Sequence, residues 1–501
     1  MSAERVWHAA VDLGASGGRV AIGGIHEGRL EIEVLHRFSN NPVMVPFGTQ
    51  PRLYWDVLGL WAEILKGLKR AGERAGELGG RVASVGVDSW AVDYALLDSN
   101  GLLLDGVHHY RSARTDGVMA EVLQEHSRDE LFALTGLQFL PFNTLYQWLA
   151  LRRDTPGVLD QAHTFLMVPD LMNFWLSGRM VCERSNASTT QFYHPALRTW
   201  SYPLLERLGL PVALLPGIVE AGSDLGPLLP PVAEATGLSG VRVIVPATHD
   251  TASAVVATPL SGPEAAFLSS GTWSLLGVET DAPILSPAAL QANFTNEAGI
   301  DGTTRLLKNV MGLWIMQQCR LAWPNASFAD LNVAAEAAPP FLALIDVDDP
   351  RFLLPGDDMP ERIQQVCRET GQGVPGTRGE IARVVFESLA LKYARVLAEL
   401  EEVAGRALEV IHIVGGGSLA GPLCQWTADA TGRQVQAGPV DATLIGNLLV
   451  QAQACGVLPQ GERRAVVART FAFHTFLPQH PEAWQDAQSR FAALYGAGML
   501  A

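Results

Sequence analysis

Apolar and polar positions along the chain change period several times, and each change marks an element. Val6–Leu13 is a nearly continuous apolar run closed by Asp12 and the small-residue stretch Gly14-Ala15-Ser16-Gly17-Gly18. Arg19–Ile25 turns apolar again, and after His26-Glu27-Gly28 the residues Leu30, Ile32 and Val34 alternate with polar neighbours towards Phe38. Runs of this kind with glycine punctuation predict three consecutive strands, not a strand feeding a helix. Helical periodicity follows over Tyr54–Arg74. A buried strand is predicted at Val82–Val87 and a short one at Tyr94–Leu97, closed by Asp98-Ser99-Asn100-Gly101. A mostly helical stretch runs to about residue 210, and proline-rich chain from Pro203 to Pro246 carries a strand at Val241–Val245.

The opening outline then recurs. Ala265–Leu268 reads as a strand, Ser269-Ser270-Gly271-Thr272 as a turn and Trp273–Val278 as a returning strand. Further on, the strand Val410–Val414 meets Gly415-Gly416-Gly417-Ser418 and a helix at Leu419–Thr431. Residues 380–401 form a long amphipathic helix whose apolar face is core. Two stretches that each begin strand, small-residue turn, strand predict an α/β chain of two similar domains facing each other, 1–246 and 247–501.

Composition narrows the partners. The chain has 501 residues, 48% of them apolar, and a net charge of −16 from 36 basic and 52 acidic residues. Such an acidic chain repels nucleic-acid backbones and anionic lipid. Local backbone N–H groups can still hold a small anion. The five cysteines are scattered and form no C-x-x-C pair, which argues against zinc and for a reducing cytoplasm. No signal peptide and no membrane span is expected. Monomer and homodimer both fit.

The candidate chemistry sits at the turns. Successive glycines permit positive φ and a nest of N–H groups for phosphate at 14–18. Asp12, just before it, would repel phosphate directly unless Mg²⁺ sits between them, held through water. A Rossmann or P-loop site needs a helix after its glycines, and here a strand follows. Ser270-Gly271-Thr272 offers hydroxyl and N–H donors, and Gly415-Gly416-Gly417 precedes a helix N-terminus. Together the three turns suggest a nucleotide held in a cleft. In Pro246-Ala247-Thr248-His249-Asp250-Thr251, Asp250 opens a helix that would keep it ionised, ready to accept a hydroxyl proton. Asp88-Ser89-Trp90-Ala91-Val92-Asp93 places two carboxylates and a Trp where they could bind sugar hydroxyls or form a turn over a core Trp.

The stretches VDLGASGGRV, GVDSWAVDYALLD, TGLQFLPFNTLYQ, PATHDTASAVVA, FLSSGTWSLLG, NFTNEAG, LLKNVMGLWIMQQCR and LCQWTADATGRQVQAGPVDATLIGN resemble the FGGY family of carbohydrate kinases over residues 11–447. The resemblance implies two ribonuclease-H-like domains of the actin-type ATPase fold with a central cleft. It also implies ATP as co-substrate, Mg²⁺, and transfer of the γ-phosphoryl group to O1 of L-rhamnulose. Carried over residue by residue, Ala15, Ser16, Gly17, Gly18 and Arg19 would hold ATP phosphates, and Thr272, Gln317 and Gly415 would contact the nucleotide. Ala91, His249, Asp250, Thr251 and Asn309 would face the sugar, with Asp250 as proton acceptor. Three positions depart from the family pattern. Gly17 replaces a usual Ser, Ala91 stands where a sugar-contacting glycine is usual, and Ser112-Ala113 interrupts a Tyr-Arg-Asp-x-Arg-Thr run. The last two keep another ketose, such as L-fuculose or xylulose, open as substrate. An actin-like nucleotide switch without a sugar is the remoter alternative.

Overall fold

The computed structural model describes residues 4–47 and 50–496. It divides into two compact units, the first made of residues 1–257, 280–306 and 442–470, the second of 258–279, 307–441 and 471–501. The sequence suggested one break at 246. The chain instead returns to the first unit late, because the apolar helix Ala442–Ala454 finds its buried surface there, against the strands Arg5–Gly14 and Gly80–Ser89 and the helix Asp250–Val256.

In the first unit the opening strands form as the alternation predicts: Arg5–Gly14, Gly17–His26 and Arg29–Ser39. They belong to a six-stranded sheet in which Arg5–Gly14 is central, antiparallel to Gly17–His26 on one side and parallel to Gly80–Ser89 on the other. Trp7, Ala9, Ala10, Val11 and Leu13 on the central strand are all buried, as expected of a strand covered on both faces. The helix Val57–Glu77 rests on Val20, and Ala442–Ala454 approaches at Gly23, three residues along and so on the opposite face.

The predicted helix at Tyr54–Arg74 starts three residues later. Tyr54 and Trp55 close the strand Gln50–Trp55, and Asp56 caps the helix by accepting from the Gly59 amide at 2.9 Å. Tyr94–Leu97 is a strand over the expected residues, but it leaves the main sheet to pair with Thr164–Met167. The proline-rich segment contributes Arg242–Ile244, parallel to Gly80–Ser89.

The second unit repeats the arrangement. Ala265–Ser270 is antiparallel to Trp273–Thr280 and parallel to Val410–Val414, which in turn is parallel to Gln434–Ala437. The long amphipathic helix spans Arg378–Ala404. A capping box between Thr377 and Glu380 starts it, and Gly405 at φ +66° ends it. No helix among the described residues is long and apolar enough to cross a membrane.

Candidate active site

In the first unit the candidate carboxylates Asp12 and Asp88 stand near the carboxyl ends of adjacent parallel strands, where open α/β sheets place ligands. Asp12 is in register with Asp88 on one neighbouring strand and with Arg19 on the other. Paired positions share a face, so three charged groups stand in a row across the sheet, Asp88, Asp12, Arg19. Arg19 forms an ion pair with Asp12, whose side chain is 5% exposed. Asp88 is fully buried. Its Oδ2 accepts from Asn447 Nδ2 at 2.6 Å, while Oδ1 has no hydrogen-bond partner. Burial pushes the Asp88 carboxyl well above the usual carboxylate range, and the charges of Asp12 and Asp250 add to the push against the Asn447 hydrogen bond.

The turn beside this row differs from the expected nest. Gly14 faces Gly17 directly, leaving a two-residue turn of Ala15 and Ser16, and none of residues 14–18 has a positive φ. Gly18 is required for space instead, and Gly17 has a neighbour close by. A Cβ on Gly18 would lie 2.2 Å from the Phe38 ring, and one on Gly17 3.0 Å from the Phe38 carbonyl oxygen. Asn40 ties the turn down, its Nδ2 donating to the Gly14 carbonyl at 2.9 Å.

Asp250 opens the short helix Asp250–Val256, immediately after the turn Thr248-His249. The helix N-terminus was expected to hold its carboxyl ionised. Burial outweighs it and pushes the carboxyl upward, with Asp12 adding to the push and His249 and Thr251 opposing it. Its side chain keeps 30% exposure, with the Thr251 hydroxyl donating to Oδ1 at 3.2 Å and His249 Nε2 3.4 Å from the same oxygen. His249 is fixed from behind: Nδ1 lies 3.2 Å from Glu297 Oε2 and 3.2 Å from Arg305, and Arg305 pairs with Glu297 at 3.1 Å. Nδ1 thus has a carboxylate and a guanidinium within reach, while Nε2 faces Asp250. Another buried carboxylate, Glu183, accepts from the Thr248 amide at 2.9 Å and its hydroxyl at 3.0 Å, while Ser185 Oγ accepts from the His249 amide at 3.1 Å.

The loop carrying Ala91 is held in strain. Val92 has φ +65°, costly for a β-branched residue, and its carbonyl is pinned by Thr144 Oγ1 at 2.7 Å and Gln147 Nε2 at 3.2 Å. Asp93 is not a sugar-facing partner of Asp88. It is buried and accepts from Trp55, Trp90, Gln147 and the Tyr110 amide. Burial still leaves its carboxyl pushed up to about 6.

In the second unit the strand–turn–strand Ser270-Gly271-Thr272-Trp273 brings two of the expected nucleotide residues together. Thr272 Oγ1 lies 3.3 Å from Gln317 Oε1, on the helix Trp314–Ala322. Gly415 has φ +84°, and a Cβ there would lie 2.9 Å from the Ser270 carbonyl oxygen. Its N–H donates to the Pro439 carbonyl at 3.1 Å, so that amide is spent inside the protein and is not part of an anion nest. The expected helix at Leu419 is preceded by a 3₁₀ turn, Gly416–Leu419, and begins at Gly421. Asn309 lies on the strand Thr304–Met311, within this second unit, whereas His249, Asp250 and Thr251 belong to the first.

Sequence reasoning missed Glu183, Glu297, Arg305 and Asn447. Glu297 stands within NFTNEAG and Asn447 in an apolar helix four residues before Gln451, so a charged or amide side chain inside an apolar element was the available signal.

Asp88 Oδ1, buried and unpartnered and under the influence of the Asp12 and Asp250 charges, is chemically suited to a hard cation. No three His, Cys, Asp or Glu residues among those described are grouped closely enough to hold a metal ion by themselves. Water would therefore have to supply most of the ligands, as Mg²⁺ prefers.

Residues 8–257 match the N-terminal domain of the FGGY family of carbohydrate kinases, and residues 266–455 match its C-terminal domain. The chain is 41% identical over 483 residues to a rhamnulokinase of Bacteroides thetaiotaomicron, covering 96% of this chain and 98% of that one. It is 42% identical to a rhamnulokinase of Pectobacterium atrosepticum, covering 97% and 96%. Among solved structures, the xylulose kinase of Lactobacillus acidophilus aligns with TM-score 0.78 at 16% identity over 98% of this chain and 99% of that one. The glycerol kinase of Plasmodium falciparum with ADP aligns with TM-score 0.77 at 13% identity over 99% of each chain. At these identities the structural likeness speaks for the fold.

Proposed function

The chain belongs to the FGGY family of carbohydrate kinases, and from that premise we propose that it transfers the γ-phosphoryl group of ATP to O1 of L-rhamnulose. The products are L-rhamnulose 1-phosphate and ADP, in L-rhamnose catabolism. The observation that carries the choice of sugar is the 41–42% identity, over nearly the whole chain, to proteins named rhamnulokinases.

Phosphoryl transfer leaves the protein mainly positioning, charge neutralisation and a base for the attacking hydroxyl. Asp250 is assigned the base. A carboxyl pushed upward is better matched to taking a hydroxyl proton near neutral pH than an ordinary one. His249, locked by Glu297 and Arg305, positions it. Thr251, Ala91 and Asn309 are assigned to the sugar. The amides of Ala15, Ser16, Gly17 and Gly18 are assigned to ATP phosphates, together with Arg19 once it exchanges Asp12 for phosphate. Thr272, Gln317 and Gly415 are assigned to the rest of the nucleotide. Asp12 and Asp88 would hold Mg²⁺ largely through water; when bound, it offsets the charge of the phosphates. The protein is placed in the cytoplasm as a monomer or homodimer, and its five unpaired cysteines suit a reducing compartment.

A second reading, a kinase for another ketose, is favoured by Ala91 and Ser112. Ser112 is buried and its hydroxyl has no hydrogen-bond partner where the family pattern has a carboxylate. An ADP-release assay across L-rhamnulose, L-fuculose and xylulose decides. L-rhamnulose should give the highest kcat/KM, and a lower rank would replace it with the sugar that leads.

A further inference from the structure

The short strand Thr295–Ala298 has two faces in use. Glu297 points to His249 and Arg305, while its neighbours Asn296 and Ala298 line a separate cavity of about 220 Å³. That is space for about seven waters at roughly 30 Å³ each. Arg184, Tyr193, Arg198, Asp281 and Thr304 complete the part of the lining that matters. Two of these groups are deeply buried. The Tyr193 hydroxyl is enclosed beside the Arg184 guanidinium, in a residue 2% exposed. The Arg184 side chain is 3% exposed, donating to the Gly299 carbonyl at 2.8 Å and pairing at 2.7 Å with Glu220, itself mostly in solvent. Arg198 and Asp281 are exposed, and Arg198 gives one N–H to the Gly302 carbonyl at 2.6 Å. Two guanidinium groups can donate, one carboxylate can accept, and the Tyr193 hydroxyl backs the Arg184 guanidinium. Guanidinium groups suit a phosphate, and the carboxylate suits hydroxyl groups on the same molecule.

We propose that this cavity is a second binding site, for a small hydroxylated phosphate ester, and that its occupancy is transmitted to the His249–Asp250 turn. Two short routes connect them. Asn296 and Ala298 flank Glu297, and Thr304 adjoins Arg305, the two residues that fix His249. Arg184 stands between Glu183 and Ser185, the two residues that hold the Thr248 and His249 amides. The site does not depend on the kinase reading; the transmission does.

Calorimetric titration of the full chain with glycerol 3-phosphate, inorganic phosphate and glycerol tests the site. Glycerol 3-phosphate should bind most tightly. Arg198→Met should weaken it roughly tenfold or more, the loss of a charged hydrogen bond. Arg19→Met, at the turn assigned to ATP phosphates, should leave it unchanged. No binding at about 10 mM, where a ligand with a Kd of about 1 mM would be nearly saturated, overturns the site. So does binding lost in Arg19→Met and kept in Arg198→Met. Phosphate binding as tightly as the ester overturns the hydroxylated ligand. In turnover assays, glycerol 3-phosphate should shift the ketose KM of the parent chain, and Arg198→Met should need roughly tenfold more of it for the same shift. An unshifted KM with the ligand bound overturns the transmission alone. A chain inactive on L-rhamnulose overturns the proposed substrate while the calorimetry still reads the site.

Discussion

Each unit contains a hairpin whose first strand has an antiparallel partner on one side and a parallel partner on the other. In the first unit these are Arg5–Gly14, Gly17–His26 and Gly80–Ser89; in the second, Ala265–Ser270, Trp273–Thr280 and Val410–Val414. The topology is the same and the chemistry is not. The first hairpin carries charge across three strands, Asp88, Asp12 and Arg19, with Asp250 near enough to act on both carboxylates. The second carries hydroxyl and amide groups, Ser270, Thr272 and Gln317, with Gly415 pressed against the Ser270 carbonyl. One backbone pattern therefore serves two tasks. Charges close together in a buried row answer to pH and to cations, whereas neutral donors and acceptors at a turn answer to shape and hydrogen bonding.

Substitutions can break the contrast. The largest expected effect is at Asp250. Asp250→Asn removes the assigned base and should lower kcat at least roughly a hundredfold, with ATP affinity nearly unchanged. Steady-state kinetics with nucleotide titration checks it, and near-normal turnover would remove Asp250 from that role.

Asp88→Asn comes next and addresses the charged row. The Asp88 carboxyl is raised in the folded state, so the folded chain holds a proton that the unfolded chain gives up. Its stabilising contribution is full below the unfolded pKa, about 4, and is lost as pH rises through the folded value, with a limiting slope of about 1.4 kcal/mol per pH unit. Urea unfolding across a pH series should show the parent chain losing stability above pH ~4 relative to Asp88→Asn. Added Mg²⁺ should recover part of that loss in the parent chain and less in the variant. Parallel pH profiles would mean that the Asp88 carboxyl is not raised in the folded chain.

In the second hairpin, Thr272→Val removes the hydroxyl that meets Gln317. Loss of a neutral hydrogen bond, about 1 kcal/mol, should raise the KM for ATP roughly fivefold, leave the ketose KM alone and add no pH dependence to stability. A pH-dependent change here would dissolve the distinction between the hairpins.

The smallest effect belongs to Gly17→Ser. Its Cβ would meet the Phe38 carbonyl oxygen at 3.0 Å, a contact relieved by a small shift, and its φ is not positive. Thermal unfolding should register a cost under about 1 kcal/mol, with the ATP KM unchanged, because the amide and not the side chain is assigned to phosphate.

The hairpins, the long helix at Arg378–Ala404 and the position of Asp250 at a helix start were legible because each follows from residues close in sequence. Runs of β-branched residues, a Thr-x-x-Glu capping box and glycines between apolar runs are local signals. The Asp12–Arg19 pair was not legible. It depends on cross-strand register, and a slip of one residue would have put Arg19 on the other face. Nor was the use of Asp93, whose four donors come from positions 55, 90, 110 and 147.

The sequence by itself determined the alternation of elements, the repeated strand–turn–strand and the family's motifs, since propensity and hydrophobic period act over a few residues. Only the tertiary structure decided which carboxylates lie beside one another. Asp88 meets Asn447 across 359 positions of chain, and Glu297 and Arg305 close around His249. Burial at those meetings then reversed the expectation for Asp250, whose carboxyl is pushed up although it opens a helix. Desolvation depends on everything that surrounds a group, and that is settled only when distant segments pack together.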